Sequence, residues 1–78
     1  MSRSTKIAFH NRLGRRIAYL RRRKGLTQEQ LAEKAGISRS YLGEIEAPNM
    51  VSTLSLEVLF NIAAALQVPE YQLLEFRD

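Results

Sequence analysis

The side chains best suited to chemistry in this sequence are hydrogen-bonding groups clustered at residues 38–44. Arg39 can donate two hydrogen bonds to guanine O6 and N7, and Ser40 can reach a base edge or a phosphate. Tyr41 can offer its hydroxyl to a phosphate or stack on a sugar. Glu44, about one helical turn further on, can accept from a cytosine amino group. Together with Ser38, these residues form a candidate surface for reading nucleic acid.

Three of these four assignments have a plainer alternative. Tyr41 can pack against the core, Ser40 can do no more than support the start of a helix, and Glu44 can be a bystander. Only the elements that position the four side chains decide between the two interpretations.

Groups suited to catalysis or metal binding lack suitable partners. Cysteine is absent, which excludes disulfides and thiolate metal sites. His10 has no partner at metal-ligand spacing, so we interpret it as a surface residue. The eight carboxylates show no paired arrangement, and no glycine-rich phosphate loop follows a strand. We therefore expect no enzymatic activity, no cofactor and no metal site.

The charges are distributed unevenly along the chain. Residues 1–26 hold nine cations and no acid, whereas residues 27–78 hold three cations and eight acids. Such an asymmetry indicates a polyanionic partner for the first segment, with nucleic acid favoured over an anionic membrane surface. Arg22 and Arg23 are the candidate contacts there. The alternative is that these arginines form a solvated surface that keeps a small protein in solution.

Apolar residues at helical spacing predict a first helix from Lys6 to Lys24, ended by Gly25. Its apolar residues Phe9, Leu13, Ile17 and Leu20 fall within an arc of about 80°. Because the core needs that whole arc, a basic amphipathic membrane helix is disfavoured.

Two helix-start signals, Thr27 and Ser38, stand only eleven residues apart. Thr27 and Gln30 form a capping box, and Gly36 ends the helix that it opens. Helices this short are marginal alone, so the two must brace each other at a fixed angle.

The spacing within this pair predicts a helix-turn-helix over about residues 28–47. Ala32 is small where the two helices approach most closely, and Gly36 supplies the turn. Leu42 and Ile45 anchor the second helix on the core. In this motif one helix enters the DNA major groove.

Ser55 predicts the start of a fourth helix, and Pro69 predicts the start of a short fifth one. The buried stripe of the fourth helix is expected to comprise Leu56, Leu59, Phe60, Ile62, Ala63 and Leu66. No strand alternation is present. The sequence therefore predicts an all-α fold of five helices, forming one domain over residues 1–78.

A chain of 78 residues has a small core, which dimerisation would supplement. We expect the dimer contact within residues 55–78. The candidate interface on helix five comprises Tyr71, Leu73, Leu74 and Phe76. Since residues 71 and 74 share one face and residues 73 and 76 another, one pair is expected to serve the core and the other a partner subunit.

No run of apolar residues approaches the roughly 20 residues that a membrane-spanning helix needs, and no signal-peptide pattern opens the chain. With the lack of cysteine, this favours a cytoplasmic protein.

The segments RIAYLRRRKGLTQEQLAEKAGISRSYLGEIE and TLSLEVLFNIAAALQVP resemble the lambda-repressor/Cro-like helix-turn-helix family. The resemblance implies a five-helix transcriptional regulator that binds double-stranded DNA, commonly as a homodimer. Gln28 matches the glutamine that touches a phosphate, and Arg39, Ser40 and Tyr41 match the exposed first turn of the recognition helix. The chain length and the segments ISRSYLGEIE and TLSL are similar to controller proteins of restriction–modification systems.

Two functions remain open at this point. The first is an operator-binding homodimer that reads half-sites about one turn, roughly 34 Å, apart. It would repress by covering a promoter, or activate through a contact with RNA polymerase. The alternative is an antitoxin-like subunit whose main partner is a protein and whose DNA binding is autoregulatory.

Overall fold

The computed structural model describes residues 3–49 and 54–75, with side chains from residue 5 onward. Its helices are α1 (Arg3–Arg23), α2 (Gln28–Ala35), α3 (Arg39–Glu46), α4 (Leu56–Leu66) and a 3-10 helix (Glu70–Leu74). The described residues contain no strand. The all-helical prediction is therefore confirmed.

The predicted fifth α-helix is wrong, because the described residues form four α-helices followed by a five-residue 3-10 helix. Pro69 precedes this helix in an extended conformation, and its carbonyl accepts from the Gln72 amide at 2.9 Å. The Glu75 amide closes a second such bond, to Gln72, at 3.3 Å. A segment this short favours the tighter i to i+3 bonding over an α-helical turn.

The predicted starts of α2, α3 and α4 are confirmed, whereas α1 begins at Arg3 rather than at the predicted Lys6. The Thr27 hydroxyl accepts from the Gln30 amide at 3.1 Å, and the Gln30 side chain accepts from the Thr27 amide at 2.9 Å. Ser38 and Ser55 accept from the third amide of their own helices at 3.0 and 3.1 Å. These bonds satisfy backbone donors that the first turn of a helix leaves unpaired.

The core lies where α1, α2, α3, α4 and the 3-10 helix meet. Its largest fully buried side chains are Ile17, Leu31, Leu42, Ile62, Leu66 and Leu73. The predicted anchors Leu42 and Ile45 are both buried, so they hold α3 against the core as expected.

Three residues that were predicted to be buried are instead exposed. Phe9 on α1 is 40% exposed, whereas Leu56 and Phe60 on α4 are 64% and 45% exposed. The core uses the flank of α4 that carries Ile62 and Leu66. Leu56 and Phe60 lie about 100° and 140° around the axis from that flank, so the predicted stripe was too wide.

The close approach of α1 to α3 requires glycine at residue 14. A Cβ atom at Gly14 would contact the Ile45 carbonyl oxygen and lie 3.2 Å from the Glu46 Cα. Both are backbone atoms, which cannot rotate away. Gly14 therefore sets the distance between the first helix and the end of α3.

Candidate nucleic-acid interface

Helix α3 presents its polar residues on the side opposite to its anchors. Leu42 and Ile45 face the core, and Ser40 and Glu44 lie more than about 120° around the axis from their mean direction. Arg39, in the first turn, is exposed as well. The predicted reading residues Arg39, Ser40 and Glu44 thus share an outward surface.

The turn between α2 and α3 is held by backbone geometry. Gly36 adopts a left-handed conformation with φ of 72°, which favours glycine. The Ile37 amide then bonds the Ala32 carbonyl at 3.0 Å, and Ala32 itself is only 2% exposed. The roles predicted for Gly36 and Ala32 agree with these contacts.

A buried ion pair joins the end of α1 to the end of α3. Arg21 Nε and Nη2 donate to the two carboxylate oxygens of Glu46 at 2.9 and 3.0 Å. Arg21 Nη1 donates to the Leu26 carbonyl at 2.8 Å. The two side chains are only 10% and 5% exposed. This bidentate geometry is the strong form of an arginine–carboxylate contact.

Gln28, the first residue of α2, bonds to the same carboxylate. Its Nε2 donates to Glu46 Oε1 at 3.0 Å, so one glutamate fixes the end of α1, the start of α2 and the end of α3. This bond holds the Gln28 side-chain amide, the predicted phosphate contact, in one orientation. Its role toward phosphate stays a prediction.

Sequence reasoning missed the role of Arg21. The detectable signal was its position: Arg21 follows Ile17 by four residues and therefore lies near the buried arc of α1. An arginine at such a position needs an acid partner, because burial of an unpaired charge is costly. Its partner, Glu46, lies twenty-five residues further along the chain, so the spacing of neighbouring residues does not reveal it.

Tyr41 and Ser38 occupy supporting positions. Tyr41 is half-buried and packs against the core, which favours the packing interpretation. The Ser38 hydroxyl caps α3. Both residues remain predicted contacts of the interface.

The predicted basic contacts Arg22 and Arg23 are exposed in the last turn of α1. Arg23 Nη1 donates to the Tyr19 hydroxyl at 2.9 Å, and this bond raises the pKa of the Arg23 guanidinium. Arg23 points about 160° around α1 from Arg21, which bonds α3. Arg23 therefore lies on a different flank of α1 from the one that contacts α3.

The candidate dimer residues separate into buried and exposed members. Leu73 has no exposed surface and belongs to the core of the single chain, so it corresponds to the pair that was expected to serve the core. Tyr71 and Leu74 are 63% and 46% exposed. Phe76 lies outside the described residues.

Within 3–49 and 54–75, no three His, Cys, Asp or Glu side chains form a group that could hold a metal ion. No helix in this part of the chain is long and apolar enough to cross a membrane.

The helix-turn-helix family model matches residues 17–73 of the chain. This range spans α2 and α3 together with the core that supports them. The chain belongs to the lambda-repressor/Cro-like helix-turn-helix family. Membership in this helix-turn-helix family confirms the resemblance that the sequence motifs indicated.

Individual members of the helix-turn-helix family are also similar to the chain. The transcriptional regulator SinR of Bacillus licheniformis is 39% identical over 85% of this chain, which spans 59% of SinR. The restriction–modification controller protein C.AhdI of Aeromonas hydrophila has a TM-score of 0.79 at 36% identity. The alignment covers 85% of this chain and 97% of C.AhdI.

A SinR structure solved in complex with DNA matches with a TM-score of 0.73 at 38% identity. The match covers 81% of this chain and 98% of that one. The chain thus spans somewhat over half the length of the full SinR protein but nearly all of this solved fragment.

The buried ion pair generates a prediction about stability. Arg21→Met or Glu46→Leu alone should lower the free energy of unfolding by about 3–5 kcal/mol, because each leaves an unpaired buried charge. The double variant should lose clearly less than the sum of the two single losses. Urea unfolding, monitored by circular dichroism, measures the free energy of unfolding of the two single variants and of the double variant.

Arg15→Met provides the control, since Arg15 is exposed on the same helix. It should change the free energy of unfolding by no more than about 0.5 kcal/mol. Additive losses in the double variant would show that Arg21 and Glu46 do not act as a pair.

Proposed function

We propose that this chain is a sequence-specific regulator of transcription that binds a two-fold DNA operator as a homodimer. The observation that carries the proposal is the exposed polar face of α3, held at a fixed angle by α2 and the Arg21–Glu46 pair. A helix of this kind fits the width of the major groove, where each base pair presents a distinct pattern of donors and acceptors.

The reading residues lie in the first turns of α3. Arg39 is suited to guanine, Ser40 to a base edge or phosphate, and Glu44 to a cytosine amino group. Ser38 and Tyr41 lie beside them and are suited to the flanking DNA backbone. Specificity would then come from a few side chains on one rigid helix.

Gln28 is proposed to position the duplex through a phosphate. Its side-chain amide is held by Glu46, so little conformational freedom remains to be lost when DNA binds. Because Gln28 is uncharged, its contact would fix register without adding to the salt dependence of binding. Arg22, exposed near the same end of α1, would contribute attraction at longer range.

Gly43 is a further candidate contact, and it was missed in the sequence. A Cβ atom there would meet nothing nearer than the Gln28 Oε1 at 4.0 Å, so packing inside the chain does not require glycine. Glycine within a helix costs about 1 kcal/mol relative to alanine. Gly43 lies between Arg39 and Ser40 around the axis of α3. We infer that DNA approaches the helix most closely at this position.

The dimer surface is proposed to combine α4 with the 3-10 helix. Among the described residues, six large hydrophobic side chains are exposed, and four of them lie on these two elements: Leu56, Phe60, Tyr71 and Leu74. Burying about 800 Å² per partner would make a standard interface. Such a surface would let the two α3 helices of a dimer enter successive major grooves of the duplex.

The similar proteins support this function and suggest its context. SinR has been solved with DNA, and C.AhdI is a restriction–modification controller. We propose the controller type for this chain, with repression by covering a promoter or activation through RNA polymerase. SinR has also been solved with the protein SinI, which supports the alternative of an antitoxin-like subunit with a protein partner.

Replacing the proposed guanine-reading residue should relax sequence preference at one position. Arg39→Ala should cost about 1–3 kcal/mol on the best duplex and lose discrimination at one base pair per half-site. The measurement is fluorescence anisotropy with duplexes that each carry one changed base pair. Arg15→Ala removes the same charge elsewhere and should keep every preference. An Arg39→Ala variant that discriminates all positions like the wild type would contradict the assignment.

Gly43→Ala should raise stability and weaken DNA binding. The added helix propensity should raise Tm by about 4–8 °C, while the methyl group should weaken operator binding about tenfold. Gly14→Ala is the matched control, since its Cβ meets backbone and should cost about 1–3 kcal/mol of stability. Differential scanning calorimetry and anisotropy measure both effects. Unchanged DNA affinity in a stabilised Gly43→Ala would show that DNA stays clear of this residue.

Charging the exposed part of the 3-10 helix should separate the subunits. The double variant Tyr71→Lys/Leu74→Lys should remain helical but become monomeric, because both side chains are exposed in the single chain. Glu70→Lys adds the same two units of charge on the same helix and should remain dimeric. Size exclusion with light scattering, alongside circular dichroism, makes the comparison. A wild-type chain that is monomeric at high micromolar concentration, free and on a full operator, would overturn the homodimer.

A further inference from the structure

A second site candidate lies between the last turns of α1 and the 3-10 helix. A surface cleft of about 380 Å³ opens there. It is lined by Arg16, Tyr19, Leu20, Arg23, Lys24, Val68 and Gln72. Neither the reading residues of α3 nor the exposed apolar residues of α4 contribute to it.

The cleft concentrates positive charge without a counter-charge. Three of its seven lining residues are cations and none is acidic. None of Arg16, Arg23 and Lys24 has a carboxylate oxygen within 4.0 Å among the residues that the structure describes. Like charges held side by side repel each other, and a bound anion would remove that repulsion.

The two guanidinium groups are already ordered. Arg16 Nε donates to the Gln72 carbonyl at 2.8 Å, which ties α1 to the 3-10 helix. Both Arg16 and Arg23 place their guanidinium carbon 5.7 Å from the centre of the Tyr19 ring. Stacking of this kind fixes arginine side chains that are otherwise mobile on a surface.

Most donors of these guanidinium groups remain available. Each arginine carries five N–H donors in a rigid fork. In the described residues, Arg16 uses one on Gln72 and Arg23 uses one on the Tyr19 hydroxyl. The remaining donors match the oxygens of a phosphate group, which guanidinium binds in bidentate fashion.

The cleft and the recognition helix lie on different flanks of α1. Gly14 and Arg21 face α3, and Arg16 and Arg23 point about 160° around the helix axis from them. A duplex bound to α3 of the same chain therefore approaches a different side of the molecule.

We propose that this cleft is a binding site for a small phosphate-bearing anion of the diphosphate class. Two ordered guanidinium groups and one ammonium group supply more positive charge than a single phosphate needs. The volume of the cleft lies within the range of small-ligand sites. Leu20 and Val68 supply an apolar part of its lining. This site is independent of the DNA-binding proposal.

Inorganic pyrophosphate is the probe that tests the site without DNA. We expect a titration with pyrophosphate at constant ionic strength, monitored by calorimetry and by amide NMR, to show saturable binding. The largest changes in amide chemical shift should occur at Val68 and Gln72. Arg16→Gln/Arg23→Gln should weaken this binding at least tenfold while circular dichroism stays unchanged. Arg15→Gln/Arg22→Gln, two exposed arginines on the same helix outside the cleft, is the charge-matched control and should weaken it less than threefold.

Equal losses in the two double variants would overturn the site, because attraction would then follow net charge alone. Absence of saturable binding to the wild type would overturn it as well. If Arg16→Gln loosens the 3-10 helix, the single variant Arg23→Gln must still bind pyrophosphate more weakly, because Arg23 has no bond to that helix.

A duplex competition distinguishes the two sources of phosphate. Saturating pyrophosphate should leave the affinity for the operator duplex within about twofold, as expected for a free anion on a separate flank. Displacement of the duplex in the wild type but not in Arg16→Gln/Arg23→Gln would identify the DNA backbone as the ligand and overturn the claim of a separate site.

Discussion

The buried pair between Arg21 and Glu46 is the interaction on which the geometry of this protein depends. It ties the end of α1 to the end of α3, and Gln28 adds the start of α2 to the same carboxylate. Helices of eight residues cannot hold their own angle in water. In some proteins a buried pair fixes a unique arrangement, and we infer that here it fixes the orientation of α3.

Glycine and charge act around this pair in complementary ways. Gly14 lets α1 approach α3 at backbone distance, and Gly36 lets the chain turn between α2 and α3. The small core then needs only a few large side chains, which leaves the polar face of α3 free. Two surfaces of different character result: the polar face of α3, which we propose reads DNA, and the basic flank of α1 that carries Arg16 and Arg23. Separate surfaces allow one small domain to bind more than one anionic partner.

Local features of the fold could be predicted from the sequence, whereas contacts between distant residues could not. Thr27 and Ser38 act within three residues of themselves, so their caps and the helix-turn-helix follow from spacing alone. The outward face of α3 follows in the same way. Arg21 needed a partner far along the chain, and the burial of Leu73 depends on how the 3-10 helix packs on α4. The exposure of Leu56 likewise depends on which flank of α4 the core uses, and periodicity does not specify that flank.

We propose that a rigidly held α3 reads DNA sequence as part of a two-fold dimer. The decisive measurement is selection of bound duplexes from a random pool by the wild-type chain. Selection should enrich an inverted repeat whose half-sites lie about one helical turn, roughly 34 Å, apart. A pool that stays random after repeated rounds, or that converges on a single unpaired half-site, would contradict it.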